Sequence, residues 1–156
     1  MRLEYFQMVD RFVEVNVDER YIRSVCTVPQ QSTVFEGHFP GYPLMPGVLL
    51  IECMAQTTGW LVSGLTGFTG LPALAGVKEA KIRNAVFPGD ELEFEGRVVH
   101  LGSGYAVGEG KGSCRGAPVC DAKLTYRIIP YPSPELRNGL WEWADRLNFP
   151  ARELAK

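Results

Sequence analysis

Glu52 is the only charged residue between His38 and Lys78, and it sits in the apolar run GHFPGYPLMPGVLLIECMAQ, residues 37 to 56. Burial in a low-dielectric medium disfavours the charged form of a carboxyl, so an acid placed there is costly unless it is paired or does chemistry. No cation lies within four residues of it, but Gln56 stands at i+4, on the same face if the run is helical, and can hydrogen-bond it. The plainer alternative is a narrow polar stripe that meets solvent. His38, one of only two histidines, lies just upstream on a loop punctuated by Pro40-Gly41, Pro43 and Pro46-Gly47. A histidine and a carboxylic acid are the usual pair for moving protons near neutral pH. A loop histidine satisfied by backbone is the ordinary alternative, and it loses weight beside so isolated a carboxyl. The other histidine, His100, falls in a strand-turn context and reads as structural or exposed.

The elements must bring these groups together. Pro46 suits the first position of a helix, where its missing N–H costs no bond, and the helix then runs to Ser63 or Gly64, with Gly64 and Gly67 ending it. Glu52 lies roughly 9 Å along that axis. Gly47, read as the second helical residue, offers an N–H that no helical carbonyl satisfies, at the positive end of the dipole. Such an amide can polarise a carbonyl as an oxyanion hole does, and a glycine lets a ligand approach the backbone. A packing glycine is the alternative. Residues 12 to 17 alternate apolar and polar, and residues 20 to 28 follow as a second strand. Residues 29 to 46 form a long loop rich in Pro and Gly, of a length more often functional than not. Strands are predicted over 71 to 81, 91 to 101, 103 to 115 and 118 to 129. Two strands, one long apolar helix, then four strands make an α+β domain in which an antiparallel sheet covers the helix. Tyr131-Pro-Ser-Pro134 breaks the sheet, and residues 135 to 147 read as an amphipathic helix with Leu136, Leu140, Trp143 and Leu147 at helical spacing, ended by Pro150. The organisation expected is one domain over 1–130 with a C-terminal extension, 131–156, packed on it through Trp141, Trp143 and Phe149.

Composition excludes several classes. The chain has 156 residues, 46% hydrophobic and 22% charged, with net charge −2, which is ordinary for a globular protein with a substantial core. No basic run supports nucleic-acid binding. Residues 44 to 65 are long enough to cross a membrane, but Gln56, Thr57, Thr58 and Ser63 are polar and no Lys/Arg cluster flanks the run, so a core helix is expected and no membrane span. The N-terminus carries Glu4 and Asp10 and has no secretory h-region. Cys26, Cys53, Cys114 and Cys120 show no metal spacing and read as reduced thiols of a cytoplasmic protein.

The segment HFPGYPLMPGVLLIECMAQ closely resembles the signature of the (3R)-hydroxyacyl-acyl-carrier-protein dehydratases of type II fatty-acid synthesis, the FabZ type. The likeness extends to LAGVKEAKIRNAVFPGDELEF, residues 74 to 94, and covers about residues 5 to 130. It implies the hotdog fold, an antiparallel sheet wrapped around a long central helix. It further implies His38 as catalytic base, Glu52 as catalytic acid, the Gly47 amide as the group that binds the thioester carbonyl, and Gln56 as support for the carboxyl. Isomerising relatives carry Asp where Glu52 stands, which points to the branch that only dehydrates. The resemblance implies no metal and no organic cofactor. Its partners are an acyl carrier protein bearing the substrate on 4'-phosphopantetheine and a second copy of the chain, because the two catalytic groups of one site come from different subunits; a homodimer or a dimer-based higher oligomer follows. Two features depart from the family pattern: Tyr42, where a basic or polar residue is usual, and the long tail. Lys78, Lys81 and Arg83 are candidates for docking an acidic carrier, with ordinary surface charge as the alternative. A thioesterase on the same fold and a non-catalytic acyl-binding subunit are the competing functions. The first needs a water-activating carboxylate, and the second is opposed by the intact His38, Gly47, Glu52 and Gln56.

Overall fold

A computed structural model describes residues 1–155. The chain forms a single six-stranded antiparallel sheet of order β1-β2-β4-β5-β6-β3. The strands are β1 (Arg11–Asn16), β2 (Tyr21–Thr27), β3 (Leu71–Ile82), β4 (Glu91–Gly102), β5 (Tyr105–Cys114) and β6 (Ala117–Ile129). One long helix, α2 (Gly47–Leu65), lies against it. The expected element order holds, and the antiparallel sheet around a central helix is the hotdog architecture.

The sheet accepts α2 because its inner face is nearly bare at the centre. In β5, glycines alternate with polar residues, Gly108-Glu-Gly110-Lys-Gly112, so every inward position of that stretch lacks a side chain. A Cβ on Gly108 would stand 2.5 Å from Thr58 Cγ2, and one on Gly110 would stand 2.8 Å from Met54 Cβ. On β4, a Cβ at Gly96 would stand 2.6 Å from Thr58 Oγ1. Around this trough Ile22, Leu92, Phe94, Val98 and Leu124 close the core over Cys53, Met54 and Leu61 of the helix. The helix is long and apolar enough to cross a membrane, but 67% of its most apolar window is buried inside the fold, which makes it a core helix. Its buried hydroxyl at Thr57 bonds the carbonyl of Cys53 at 2.8 Å and the hydroxyl of Ser24 at 2.7 Å.

Four local expectations change. Pro46 is extended (ψ 134°) and caps the helix from outside, so Gly47 is the first helical residue and not the second. The 29–46 loop contains a short helix, α1 (Thr33–Gly37), begun by the Ser32 hydroxyl, which accepts from the Val34 amide. Beyond Pro150, where the sequence predicts no element, a further turn, α4 (Ala151–Leu154), forms. Leu136 points to solvent, because it lies in the first turn of α3 (Pro134–Arg146), beyond the reach of the sheet. The later half of the extension joins the core. Ala144, Leu147, Phe149 and Ala151 are buried, and Phe149 packs on Phe12 and Trp60 with ring centroids 5.3 and 5.2 Å apart. The backbone N–H of Phe12 donates to the Leu147 carbonyl at 2.7 Å.

Candidate active site

The second turn of α2 carries Glu52, half-buried at one end of a cavity of about 210 Å³ between α2, β3 and α3. Gln56, one turn on, donates from Nε2 to Glu52 Oε1 at 2.9 Å. The same amide nitrogen donates to the Phe6 carbonyl at 2.6 Å, and its oxygen accepts from the Met8 N–H at 3.2 Å. Three bonds therefore fix the Gln56 amide, and its orientation fixes one oxygen of the carboxyl. The other carboxyl oxygen has no hydrogen-bond partner among the described residues. Phe6 and Met8 are the site residues that sequence reasoning missed. They act through backbone atoms, which no residue type reveals. The one local sign is geometric: Phe6 is left-handed (φ 53°) at the end of a 3-10 turn, Leu3–Tyr5, which swings the following backbone onto α2.

The remaining lining is apolar except for Ser63. Along α2 the cavity follows Glu52, Gln56, Gly59 and Ser63, a stripe at helical spacing. Across from it stand Leu71 and Leu74 of β3, with Tyr126 below. The Tyr126 hydroxyl is held inward, donating to the Ala55 carbonyl at 2.9 Å, and burial pushes its ionisation far above the usual tyrosine range.

His38 caps the C-terminus of α1. Its Nδ1 lies 2.9 Å from the Leu44 carbonyl. A carbonyl only accepts, so Nδ1 carries the proton in the neutral ring and Nε2 presents a lone pair, the form a general base needs. The loop around it is braced by paired bonds between Phe39 and Tyr42 at 2.9 Å each, by the Leu44 N–H to the His38 carbonyl at 2.9 Å, and by the Met45 N–H to the Val86 carbonyl at 2.8 Å. Gly41 turns this loop at φ +73°. Gly47 opens α2 with its N–H unclaimed by any helical carbonyl. A Cβ there would come within 3.0 Å of Ile82 Cγ1, so the packing reading of this glycine also has a basis.

Glu52 and Gln56 are joined, but neither His38 nor Gly47 lines the cavity that Glu52 opens onto. Within one chain His38 and Glu52 do not share a pocket. Of the three candidate docking cations, Arg83 is engaged by Asp121 (Nε to Oδ2, 2.6 Å), whereas Lys78 and Lys81 are exposed with no carboxylate at ion-pair distance among the described residues. His100 is exposed and stacks on Tyr105, as expected of a residue outside the site. No cluster of potential metal ligands occurs among the described residues.

The FabA-like domain family matches residues 2–123. The 3-hydroxyacyl-acyl-carrier-protein dehydratase FabZ of Symbiobacterium thermophilum is 34% identical over 131 residues, covering 83% of this chain and 92% of that protein. The FabZ of Bacillus pumilus is 37% identical over 126 residues, covering 80% and 87%. Among solved structures, the dehydratase heterocomplex ApeI:P from Xenorhabdus doucetiae has a TM-score of 0.64 at 19% identity, covering 87% of this chain and 90% of that one. A hypothetical thioesterase of Streptococcus pneumoniae has a TM-score of 0.60 at 17% identity, covering 77% and 90%; at such identities both likenesses concern the fold. The family match spans every element from the N-terminal turn through β5, and with it the loop of His38 and the helix of Glu52 and Gln56: the chain belongs to the FabA-like family and, within it, to the FabZ-type 3-hydroxyacyl-acyl-carrier-protein dehydratases.

Proposed function

We propose that this chain dehydrates (3R)-hydroxyacyl thioesters on an acyl carrier protein to trans-2-enoyl thioesters in fatty-acid biosynthesis. One observation carries the reading: an oriented carboxyl, Glu52 held by Gln56, opens onto a mostly apolar cavity that follows α2. His38 Nε2 takes the proton from C2 while the Gly47 amide polarises the thioester carbonyl. The electron pair released at C2 forms the C2=C3 bond as the C3–O bond breaks, and Glu52 protonates the departing hydroxyl, which leaves as water. The proton on His38 then returns to the carboxylate through solvent, closing the cycle.

Each site is built from two chains, with His38 of one facing Glu52 of the other. This accords with the absence of His38 from the Glu52 cavity of a single chain. The surface suited to the second copy is the free edge of β3, twelve residues long with Leu74, Val77 and Ile82 exposed. Lys78 and Lys81 on that strand, free of carboxylates, are the cations that would meet an acidic carrier. Three buried thiols without disulfides suit a reducing cytoplasm.

Incubation with 3-hydroxybutyryl-carrier protein tests the reaction. Absorbance of a conjugated enoyl thioester is the expected result. Release of free thiol instead would identify a thioesterase, and neither signal would identify a binding subunit. The shared site has its own test. Chains bearing His38→Ala and Glu52→Gln are each inactive alone. Random remixing makes about half the dimers mixed, and one of the two sites in each mixed dimer is intact, so about a quarter of wild-type activity returns. No recovery with proven subunit exchange would mean that each site is built within one chain.

A further inference from the structure

The family match ends at residue 123, and α3 begins at residue 134. Yet Leu140 and Trp143 of α3 line the same cavity as Glu52. They stand at its far end. Trp143 meets the Trp60 ring edge-on at a centroid distance of 5.9 Å, and its neighbour Trp141 packs on Phe68 at 4.8 Å. We infer that α3 is an acyl-chain ruler: Leu140 and Trp143 close the cavity and set the longest chain the dehydratase accepts. The inference rests on the proposed reaction for the identity of the occupant, a linear saturated acyl chain running from the reacting carbons at Glu52.

The helix gives the ceiling. Trp60 lies eight residues beyond Glu52, roughly 12 Å along the helix. An extended chain advances about 1.2 Å per bond, taking three backbone bonds to a residue, so about ten bonds fit. Counted from the reacting carbons, that places the limit near a dodecanoyl chain. Beyond it the chain meets the Trp143 indole, which is half-buried and stands edge-on against Trp60. Leu147 and Phe149, buried in the core, anchor the segment that carries it.

The experiment compares the full-length wild type with Trp143→Ala, Trp143→Phe and Leu140→Ala. The reading is the ratio of kcat/KM for 3-hydroxypalmitoyl- to 3-hydroxydodecanoyl-carrier protein, in which a general loss of active enzyme cancels. Trp143→Ala should raise this ratio by about tenfold or more, and Leu140→Ala by less, since a few methylenes of pocket space discriminate by at least that much. Trp143→Phe should fall between. An unchanged ratio in all three overturns the ruler, even if melting temperatures fall, because that pattern marks a merely structural tryptophan. Binding separates the ruler from the reaction. Palmitoyl- and dodecanoyl-pantetheine are titrated calorimetrically against the same proteins. A gain of palmitoyl affinity in Trp143→Ala or Leu140→Ala supports the ruler even if no protein dehydrates anything, a result that would sink the proposed reaction alone. Equal preference in every variant overturns the ruler while leaving the reaction standing.

Discussion

Gln56 holds Glu52 in place through one amide with three partners, two of them backbone atoms of the N-terminal segment. Gln56→Ala removes the orienting donor and leaves the Met8 N–H without its acceptor. We expect stability to fall by about 1 kcal/mol in urea titration, with a loss of kcat that Gln56→Glu does not rescue, because a carboxylate cannot donate to Glu52. Glu52→Gln keeps the shape of the side chain and removes its transferable proton. Its kcat/KM should fall by about 10²–10⁴-fold at an unchanged melting temperature, as should that of His38→Ala. Activity within tenfold of wild type in either variant would remove that residue from the proton-transfer pair. Glu4 ties the N-terminal 3-10 turn to α1, since its Oε1 accepts from the Ser32 hydroxyl at 2.6 Å and the Thr33 amide at 3.0 Å, at the start of the helix that ends on His38. The Ser32 bond, foremost, holds its carboxyl below the usual 4.5. A depressed folded value means that the contribution is complete above about 4.5 and is lost as pH falls through the folded value. Glu4→Gln should therefore melt lower than wild type at neutral pH, and the two curves should converge in acid.

At the scale of elements, the depth of α2 in the sheet is set by residues that have no side chain. Gly108→Ala would drive a methyl into Thr58, and Gly110→Ala would drive one into Met54, each below 3.0 Å. Each should cost about 1–3 kcal/mol through overpacking, read from the denaturant midpoint. Gly59→Ala is the control. Its Cβ would meet only Tyr126 Cε1 at 3.6 Å, an ordinary contact, so stability should hold. The sequence predicts a strand over 103 to 115, and the meaning of its Gly-Glu-Gly-Lys-Gly alternation became clear only once a helix lay across it. The same holds for α2 itself. Its length and hydropathy fit a membrane span, and burial under β2, β4 and β5 makes it the core.

For the whole molecule, the extension contributes more than a cover. Phe149→Ala should cost about 3–5 kcal/mol, the range for a buried Phe in a core, because it opens the cluster of Phe12, Trp60 and Phe68. Removal of residues 133–156 would expose those rings together and open the far end of the cavity. The thiols report the same burial. Cys26, Cys53 and Cys120 lie inside, desolvation pushes the Cys120 thiol up to about 12 and raises Cys53, and only Cys114 is half-exposed. Iodoacetamide at mildly alkaline pH should label Cys114 alone in the native protein and all four cysteines after unfolding, as read by mass spectrometry.

Local pattern along the chain was enough for the succession of strands, the long helix and the chemical identities at 38, 47, 52 and 56. Periodicity, proline and glycine act locally, and a lone carboxyl in an apolar run is visible without coordinates. It also carried the Glu52–Gln56 bond, because i and i+4 on a helix are neighbours by construction. Tertiary structure decided the rest. The backbone of Phe6 and Met8 reaches Gln56 across some fifty residues of chain, through atoms common to every residue type. Leu140 and Trp143 read as one stripe of an amphipathic helix, and only packing showed that this stripe lines the Glu52 cavity. Whether His38 of a second chain reaches that cavity depends on contacts between surfaces, and local pattern does not encode them.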